Sequence, residues 1–370
     1  MTAGSDDDDG GFRDVRAAVL EEGMAEQRFT VPLSPMKTAA TRRTSQRAER
    51  AIRYCPMREQ LLKMHALVSS EPTHLEGEPA VTISEMITLS TREDWTVERA
   101  VAAVTVSLQG VRRLGVAFSG GVDSSLLLAL AARVLGVDRV VALLGVSPSL
   151  AAEERSAAHD VARQIGVGLV EVVTHEGERP EYQANGPDRC FYCKEELFSR
   201  LDDGIADRYG LDAIAYGENA DDARRPDRPG ARAAANHNVL RPLADAGMTK
   251  PAVRTLARAL GLQVADKPAA PCLASRIPHH HVVTPTKLSQ IDRAESALRQ
   301  LGFSELRVRH HDDIARIELP PPDLIRAVAD PLRMKVLDAV RGAGFRFVAL
   351  DIGGIQSGAF TLPLVSPDHE

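Results

Sequence analysis

The stretch Ser119-Gly120-Gly121-Val122-Asp123-Ser124-Ser125 decides the fold of this chain. An apolar run over 114–118 precedes it and reads as a buried strand; a run rich in Leu and Ala over 126–135 follows it and reads as a helix. Strand, glycine turn and helix N-terminus together make an anion cradle. The glycines let the backbone approach a phosphate, the serine hydroxyls add donors, and the N–H groups of the first helical turn favour negative charge. A Walker A loop uses the same physics but needs G-x-x-x-x-G-K-[ST], and no lysine stands here. An ordinary glycine turn would share the composition; the position between strand and helix favours the cradle. Asp123 fits two roles equally, orienting a metal or capping the following helix.

Outward from this loop the pattern alternates. Strand-like runs fall at 140–146, 169–173 and 213–216, with helical patterns at 151–165, 194–209 and 250–260. Such an order implies an α/β fold with a parallel sheet covered on both faces and the loop at the carboxyl ends of the strands. Farther on, a helix over 287–301 ends at Gly302, followed by strands at 305–309 and 314–319, a helix over 323–340 and a strand at 346–350. That β-β-α-β unit reads as a smaller C-terminal α+β domain, giving expected domains of 86–282 and 283–370. Residues 1–85 differ. They carry an acidic run at 5–10, a basic one through Arg42, Arg43, Arg47, Arg50 and Arg53, and at most a short helix at 59–68. They read as a disordered extension in which Cys55 has no role, and the functional chain is expected to start near Met86, ahead of an amphipathic pattern over 95–108.

The chain has 370 residues, 44% of them hydrophobic, enough for more than one domain. A net charge of −6 disfavours a polyanion such as nucleic acid as partner. No apolar run reaches membrane-spanning length, and the acidic N-terminus lacks the features of a signal peptide. Four cysteines suggest no disulfide framework and point to a reducing cytoplasm, where clustered cysteines more often mean metal or catalysis.

Cys190 and Cys193 form Cys-Phe-Tyr-Cys just before a helical run, and Cys272 lies 79 residues beyond Cys193. A redox-active disulfide of the first two leaves Cys272 unexplained. Structural zinc needs a fourth ligand, for which His279, His280 and His281 are near in sequence. A third reading is an iron–sulfur cluster on three cysteines with one iron open, and spacing alone does not rank it above zinc.

The S-G-G-x-D-S pattern resembles the PP-loop of the ATP pyrophosphatases, which cleave ATP between the α and β phosphates. In order after it come Cys190-Phe-Tyr-Cys193-Lys194, Gly217-Glu-Asn-Ala-Asp-Asp222, Arg228-Pro-Gly230 and Lys267-Pro-Ala-Ala-Pro-Cys-Leu-Ala-Ser-Arg276. Val308-Arg-His-His-Asp-Asp-Ile-Ala-Arg-Ile-Glu-Leu319 and Leu350-Asp-Ile-Gly-Gly354 follow. Together, over about 86–365, they resemble the LarE family of ATP-dependent sulfur transferases.

The resemblance implies an adenine nucleotide alpha hydrolase-like domain, ATP and Mg²⁺ as cofactors, and a nucleotide substrate, pyridinium-3,5-biscarboxylate mononucleotide. Members adenylate a carboxylate of that substrate and convert it to a thiocarboxylate while building the nickel-pincer nucleotide cofactor. One subgroup sacrifices the sulfur of a single cysteine, matching Cys272. Another binds a [4Fe-4S] cluster through three, and this chain, with Cys190, Cys193 and Cys272, looks like the second. The sulfur source is not given by the resemblance, and a homo-oligomer is plausible by family. Ser119, Gly120, Gly121, Asp123, Ser124 and Ser125 would hold ATP and pyrophosphate, and Ser275, Arg276, Arg307 and Arg309 the substrate phosphate. Arg307 and Arg309, two apart, share one strand face. Glu295 and Asp330 match metal-binding positions. Asp221 and Asp222 either ligate metal or pair with Arg224, Arg225 and Arg228. The competing enzymes are an amide-forming ligase of the NAD or GMP synthetase kind, which has no use for three cysteines, and a tRNA thiolase, which calls for a more basic surface. A non-catalytic nucleotide-binding protein would have no need to keep both Asp123 and the cysteines.

Overall fold

A computed structural model describes residues 95–225 and 229–356. The expected disordered extension, the start near Met86, Cys55 and Arg228 lie outside these residues. Helix α1 (Val97–Ser107) begins at Thr96, whose hydroxyl accepts the Arg99 N–H, and buries Ala100 and Val104. Then follow β1 (Leu114–Ala117), α2 (Val122–Leu135), β2 (Val140–Val146), α3 (Ala152–Ile165) and β3 (Gly168–Val173). After them come α4 (Arg189–Arg200), β4 (Ala213–Tyr216), α5 (Pro229–Asn236) and α6 (Lys250–Ala259). The four strands form one parallel sheet in the order β3-β2-β1-β4. Because the chain winds outward from β1 through β2 to β3 and then returns to the other side of β1, the winding reverses between β1 and β4. At such a reversal the loops leaving the two strands part and open a crevice. Helix α2 is buried along most of its length, since it packs against both α1 and α6, and its Leu- and Ala-rich sequence suits that place.

The remaining described chain gives α7 (Pro285–Gln300), β5 (Arg307–His311), β6 (Ile314–Glu318), α8 (Pro321–Val328), α9 (Leu332–Gly342) and β7 (Phe347–Leu350). Strand β6 is central, antiparallel to β5 and parallel to β7. Phe303, Val308, Ile317, Val340 and Phe345 form a core distinct from that of the first sheet. No helix among the described residues is long and apolar enough to cross a membrane.

Three local differences from the sequence reading matter for function. The expected helix over 323–340 is two helices, separated at Pro331, which lacks an N–H and bars its predecessor from helical geometry. Helix α4 starts at Arg189, so Cys190 and Cys193 sit inside it, and it ends in an irregular turn at Leu201–Ile205 where Gly204 takes φ +112°. Helix α2 starts at Val122, so Asp123, Ser124 and Ser125 belong to its first turn.

Candidate active site

The loop between β1 and α2 is shaped by close approach. Gly120 has φ +70°, and a Cβ there would lie 3.0 Å from the Ala158 backbone of α3, so both conformation and space require glycine. Gly121 caps α2, and no side chain satisfies the helix N-terminus. The Ser124 hydroxyl donates to the Gly121 carbonyl at 3.1 Å, accepts the Ser119 N–H at 3.3 Å and lies 3.2 Å from the Ser119 hydroxyl. These two serines brace the loop. Ser125 does not join them: it is 0% exposed, its Oγ has no partner among the described residues, and it does not line the cavity below, so its place is under the loop.

The loop leaving β4 meets the same helix end. A Cβ on Gly217 would lie 2.5 Å from the Ser124 nitrogen, so the backbones touch there. Asn219 donates to Asp123 Oδ1 at 3.0 Å and to Asp222 Oδ2 at 2.8 Å. Lys250 pairs with Asp123 Oδ2, and its backbone N–H donates to Asp221 Oδ2 at 2.7 Å. Asp123 is therefore tied to the β4 loop and α6, and three carboxylates gather around Asn219 and Lys250. Asp221 also pairs with Arg224 at 3.4 Å.

A cavity of about 460 Å³ opens beside this loop. Ser119, Gly121 and Asp123 line one end, Arg307 and Arg309 of β5 another, and the segment 268–271 with Ser275 the wall between. Its charged lining consists of Arg189, Lys250, Arg254, Lys267, Arg307 and Arg309 against Asp123 and Glu154. A cationic cavity in a chain of net charge −6 is built for anions.

Arg309 is held by a bidentate pair with buried Glu318, at 2.9 and 2.8 Å, and donates to the Ser275 carbonyl at 2.9 Å. Arg307 is also buried but has no carboxylate partner among the described residues; its guanidinium donates to the Gln356 carbonyl at 2.6 Å. Burial, then the neighbouring Arg309 and Arg276, hold its pKa below the ordinary arginine value. Two groups of expected ligand residues have protein partners here. Arg276 does not line the cavity: it is buried, spans Glu295 at 2.9 and 3.2 Å, and donates to the Pro271 carbonyl at 2.6 Å. It therefore fastens the Cys272 segment to α7. Glu295, in turn, spends its oxygens on Arg276, Arg299 and the Val308 N–H, while Asp330 is exposed and pairs with Arg333 at 3.2 Å. The two share no partner.

Cys190 and Cys272 are exposed, Cys193 is half-buried, and all three are free thiols. Their fields overlap. Burial pushes the Cys193 thiol up, with Glu176, Cys272 and Cys190 adding to the effect. Against burial, Cys272 and then Cys190 hold the pKa of the Arg189 guanidinium above the ordinary arginine value. Three thiols are the donor chemistry an iron–sulfur cluster takes. No three His, Cys, Asp or Glu side chains among the described residues are drawn together closely enough to hold a metal ion. His279, considered as a zinc ligand, has its Nδ1 3.0 Å from the Asn185 carbonyl.

Sequence reasoning missed Lys250, Glu176 and Arg189. Glu176 is 2% exposed; Ser147 donates to its Oε1 at 2.5 Å and its Oε2 has no partner. Only Arg189 carried a signal, as a charge directly before Cys190.

The Asparagine synthase family model matches residues 97–189. The pyridinium-3,5-bisthiocarboxylic acid mononucleotide synthase of Lactiplantibacillus plantarum is 36% identical over 275 residues, covering 74% of this chain and 95% of that protein. An uncharacterized Synechocystis protein is 42% identical over 243 residues, 66% of this chain and 90% of its own. An uncharacterized protein of Methanocaldococcus jannaschii is 25% identical over 241 residues, 65% of this chain and 90% of its own.

Proposed function

The chain belongs to the LarE family of PP-loop, ATP-dependent sulfur-transferring enzymes, and from that premise we propose that it thiolates a carboxylate of pyridinium-3,5-biscarboxylic acid mononucleotide, a step in nickel-pincer nucleotide biosynthesis. A carboxylate is a poor acyl donor. Adenylation by ATP, with loss of pyrophosphate, gives it a good leaving group; a sulfur nucleophile then forms the C–S bond and AMP departs with the electron pair.

One observation carries this reading: a single cationic cavity borders the PP-loop, the segment leading to Cys272 and the arginines of β5. In it, the loop N–H groups with Ser119 and Ser124 bind the ATP phosphates and the charge that develops on pyrophosphate. Mg²⁺ would neutralise those phosphates, and Asp123 at the loop, with Asp221 and Asp222 in the neighbouring β4 loop, would supply carboxylates to it. Arg307 and Arg309 take the substrate phosphate, with Arg307 supplying open donors and Ser275 lying beside them. The region 86–282 thus handles nucleotide activation and 283–370 supplies the phosphate clamp. Cys190, Cys193 and Cys272 would hold a [4Fe-4S] cluster, which when bound supplies an open iron able to carry a sulfide.

The test is an anaerobic assay with the pyridinium dicarboxylate mononucleotide. AMP and pyrophosphate are expected with the thiocarboxylate, and ADP instead would overturn the reading. Iron and acid-labile sulfide are expected in the reconstituted protein and absent after Cys190→Ser, Cys193→Ser or Cys272→Ser. A colourless wild type sinks the cluster, and loss of one sulfur mass at Cys272 after turnover assigns the sulfur to that side chain.

A further inference from the structure

We propose that Arg189 binds the reacting carboxylate of the substrate and then holds the oxygen on which negative charge collects when sulfur attacks. The inference rests on the thiolation reading above and adds to it the residue that selects for a carboxyl group.

The argument starts from the charges lining the cavity. Lys250 pairs with Asp123, Lys267 with Glu154 and Arg309 with Glu318. Arg254 is half-buried and donates to the Ala265 and Lys267 carbonyls. Arg189 and Arg307 alone among these six are buried with no carboxylate partner among the described residues. A buried cation without a counter-charge is costly, so each marks a place where an anion completes the site. The substrate class offers two kinds of anion, a phosphate and carboxylates.

Position assigns them. Arg307 lies on β5 beside Arg309, away from the cysteines in the chain. Arg189 immediately precedes Cys190, and its guanidinium donates to the Ala274 carbonyl, two residues after Cys272. The carbon that receives sulfur has to lie by the cysteines, so Arg189 meets the carboxyl group. The guanidinium is already fixed: its NH1 donates to Asn185 Oδ1 and to the Ala274 carbonyl at 2.9 Å, two residues after Cys272. Asn185 is itself bonded to the Ile277 and Pro278 carbonyls at 3.2 and 2.7 Å. Arg189 therefore keeps station with the Cys272 segment, and both of these anchors, Asn185 and the Ala274 carbonyl, are neutral.

In the reaction a sulfur nucleophile, thiolate or sulfide, forms a bond to the acyl carbon of the adenylate. The C–O bond to AMP breaks and AMP takes the electron pair. Arg189 gives up no proton; it donates hydrogen bonds to the acyl oxygen, more strongly as charge builds there.

The test is titration of the full chain with nicotinic acid mononucleotide and nicotinamide mononucleotide, which differ in a carboxylate against an amide. The wild type is expected to prefer the carboxylate by about tenfold or more. Arg189→Ala should bring that ratio close to one while ATP affinity stays within about twofold of wild type. Arg189→Lys should keep part of the preference, and it is the variant to read if the alanine form does not fold. A ratio that survives in both variants, a parallel loss of ATP affinity, or a wild type without preference overturns the inference. Failure of the functional reading looks different: the wild type would then form no AMP and pyrophosphate with the dicarboxylate, whatever Arg189 does.

Discussion

Two parts of one cavity's lining offer donors to anions by different means. At the PP-loop the donors are main-chain N–H groups, and the sequence secures them by leaving side chains out at Gly120 and Gly217. At β5 the donors are guanidinium groups set by a fully buried carboxylate, Glu318, which holds Arg309 in place. The first arrangement tolerates no added Cβ, and the second no lost counter-ion. Each end therefore has a characteristic way to fail.

The largest effect is expected at the arginine end. Glu318→Ala takes the bidentate carboxylate from the buried Arg309 guanidinium, and should lower unfolding free energy by about 3–5 kcal/mol in a denaturant titration. If it costs no more than an exposed pair, the contrast between the two ends collapses. At the backbone end, Gly217→Ala forces a Cβ to within 2.5 Å of the Ser124 nitrogen. A cost of about 1–3 kcal/mol is expected from overpacking, together with loss of ATP affinity, since the helix end that binds the phosphates has to move. Retained ATP affinity would place the phosphates elsewhere. Arg307→Met separates stability from function. Removing an unpaired buried cation should leave stability unchanged or raised, while the KM for the mononucleotide rises about tenfold, one to two charge-assisted bonds' worth. A falling midpoint without a KM change would make Arg307 structural.

The smallest effect concerns pH and lies on β5. His310 accepts the Asp312 N–H at Nδ1, at 3.2 Å, and its Nε2 lies 3.1 Å from Gln290 Oε1, so the ring is neutral. Burial, then Lys287, holds its pKa below the ordinary value, and burial and Arg316 do the same for His311. The unfolded chain protonates these rings near pH 6.5 while the folded chain resists. Stability should therefore fall as pH drops below about 6.5, and His310→Gln should flatten that slope. A slope of the opposite sign would mean the ring is charged in the fold.

The same contrast explains what could be read from the sequence. The PP-loop was legible because a backbone site writes itself as contiguous residues, glycines between an apolar strand and a helix. β2 and β4 fall on the expected 140–146 and 213–216 for a similar reason, since buried parallel strands are unbroken apolar runs. Arg276 and Glu295 were assigned to ligands because their partner was invisible: they stand 19 residues apart and meet only in the folded chain. Ser125 was counted with its neighbours, although a helix turns it from the loop face. The break at Pro331 was written plainly in the sequence; the apolar period on both sides of it masked the stop.

The segment around Cys272 has one more consequence. Its fastenings run through the Leu273 N–H to Ser149, the carbonyls of Pro271, Ala274 and Ser275, and the Arg276 guanidinium. None among the described residues passes through the sulfur of Cys272. The scaffold is thus indifferent to what that atom becomes. A thiol, an iron-bound thiolate or a desulfurised side chain can occupy the position as a consumable part in an unworn mount, and a protein that has spent its sulfur should melt at the same temperature as one that has not.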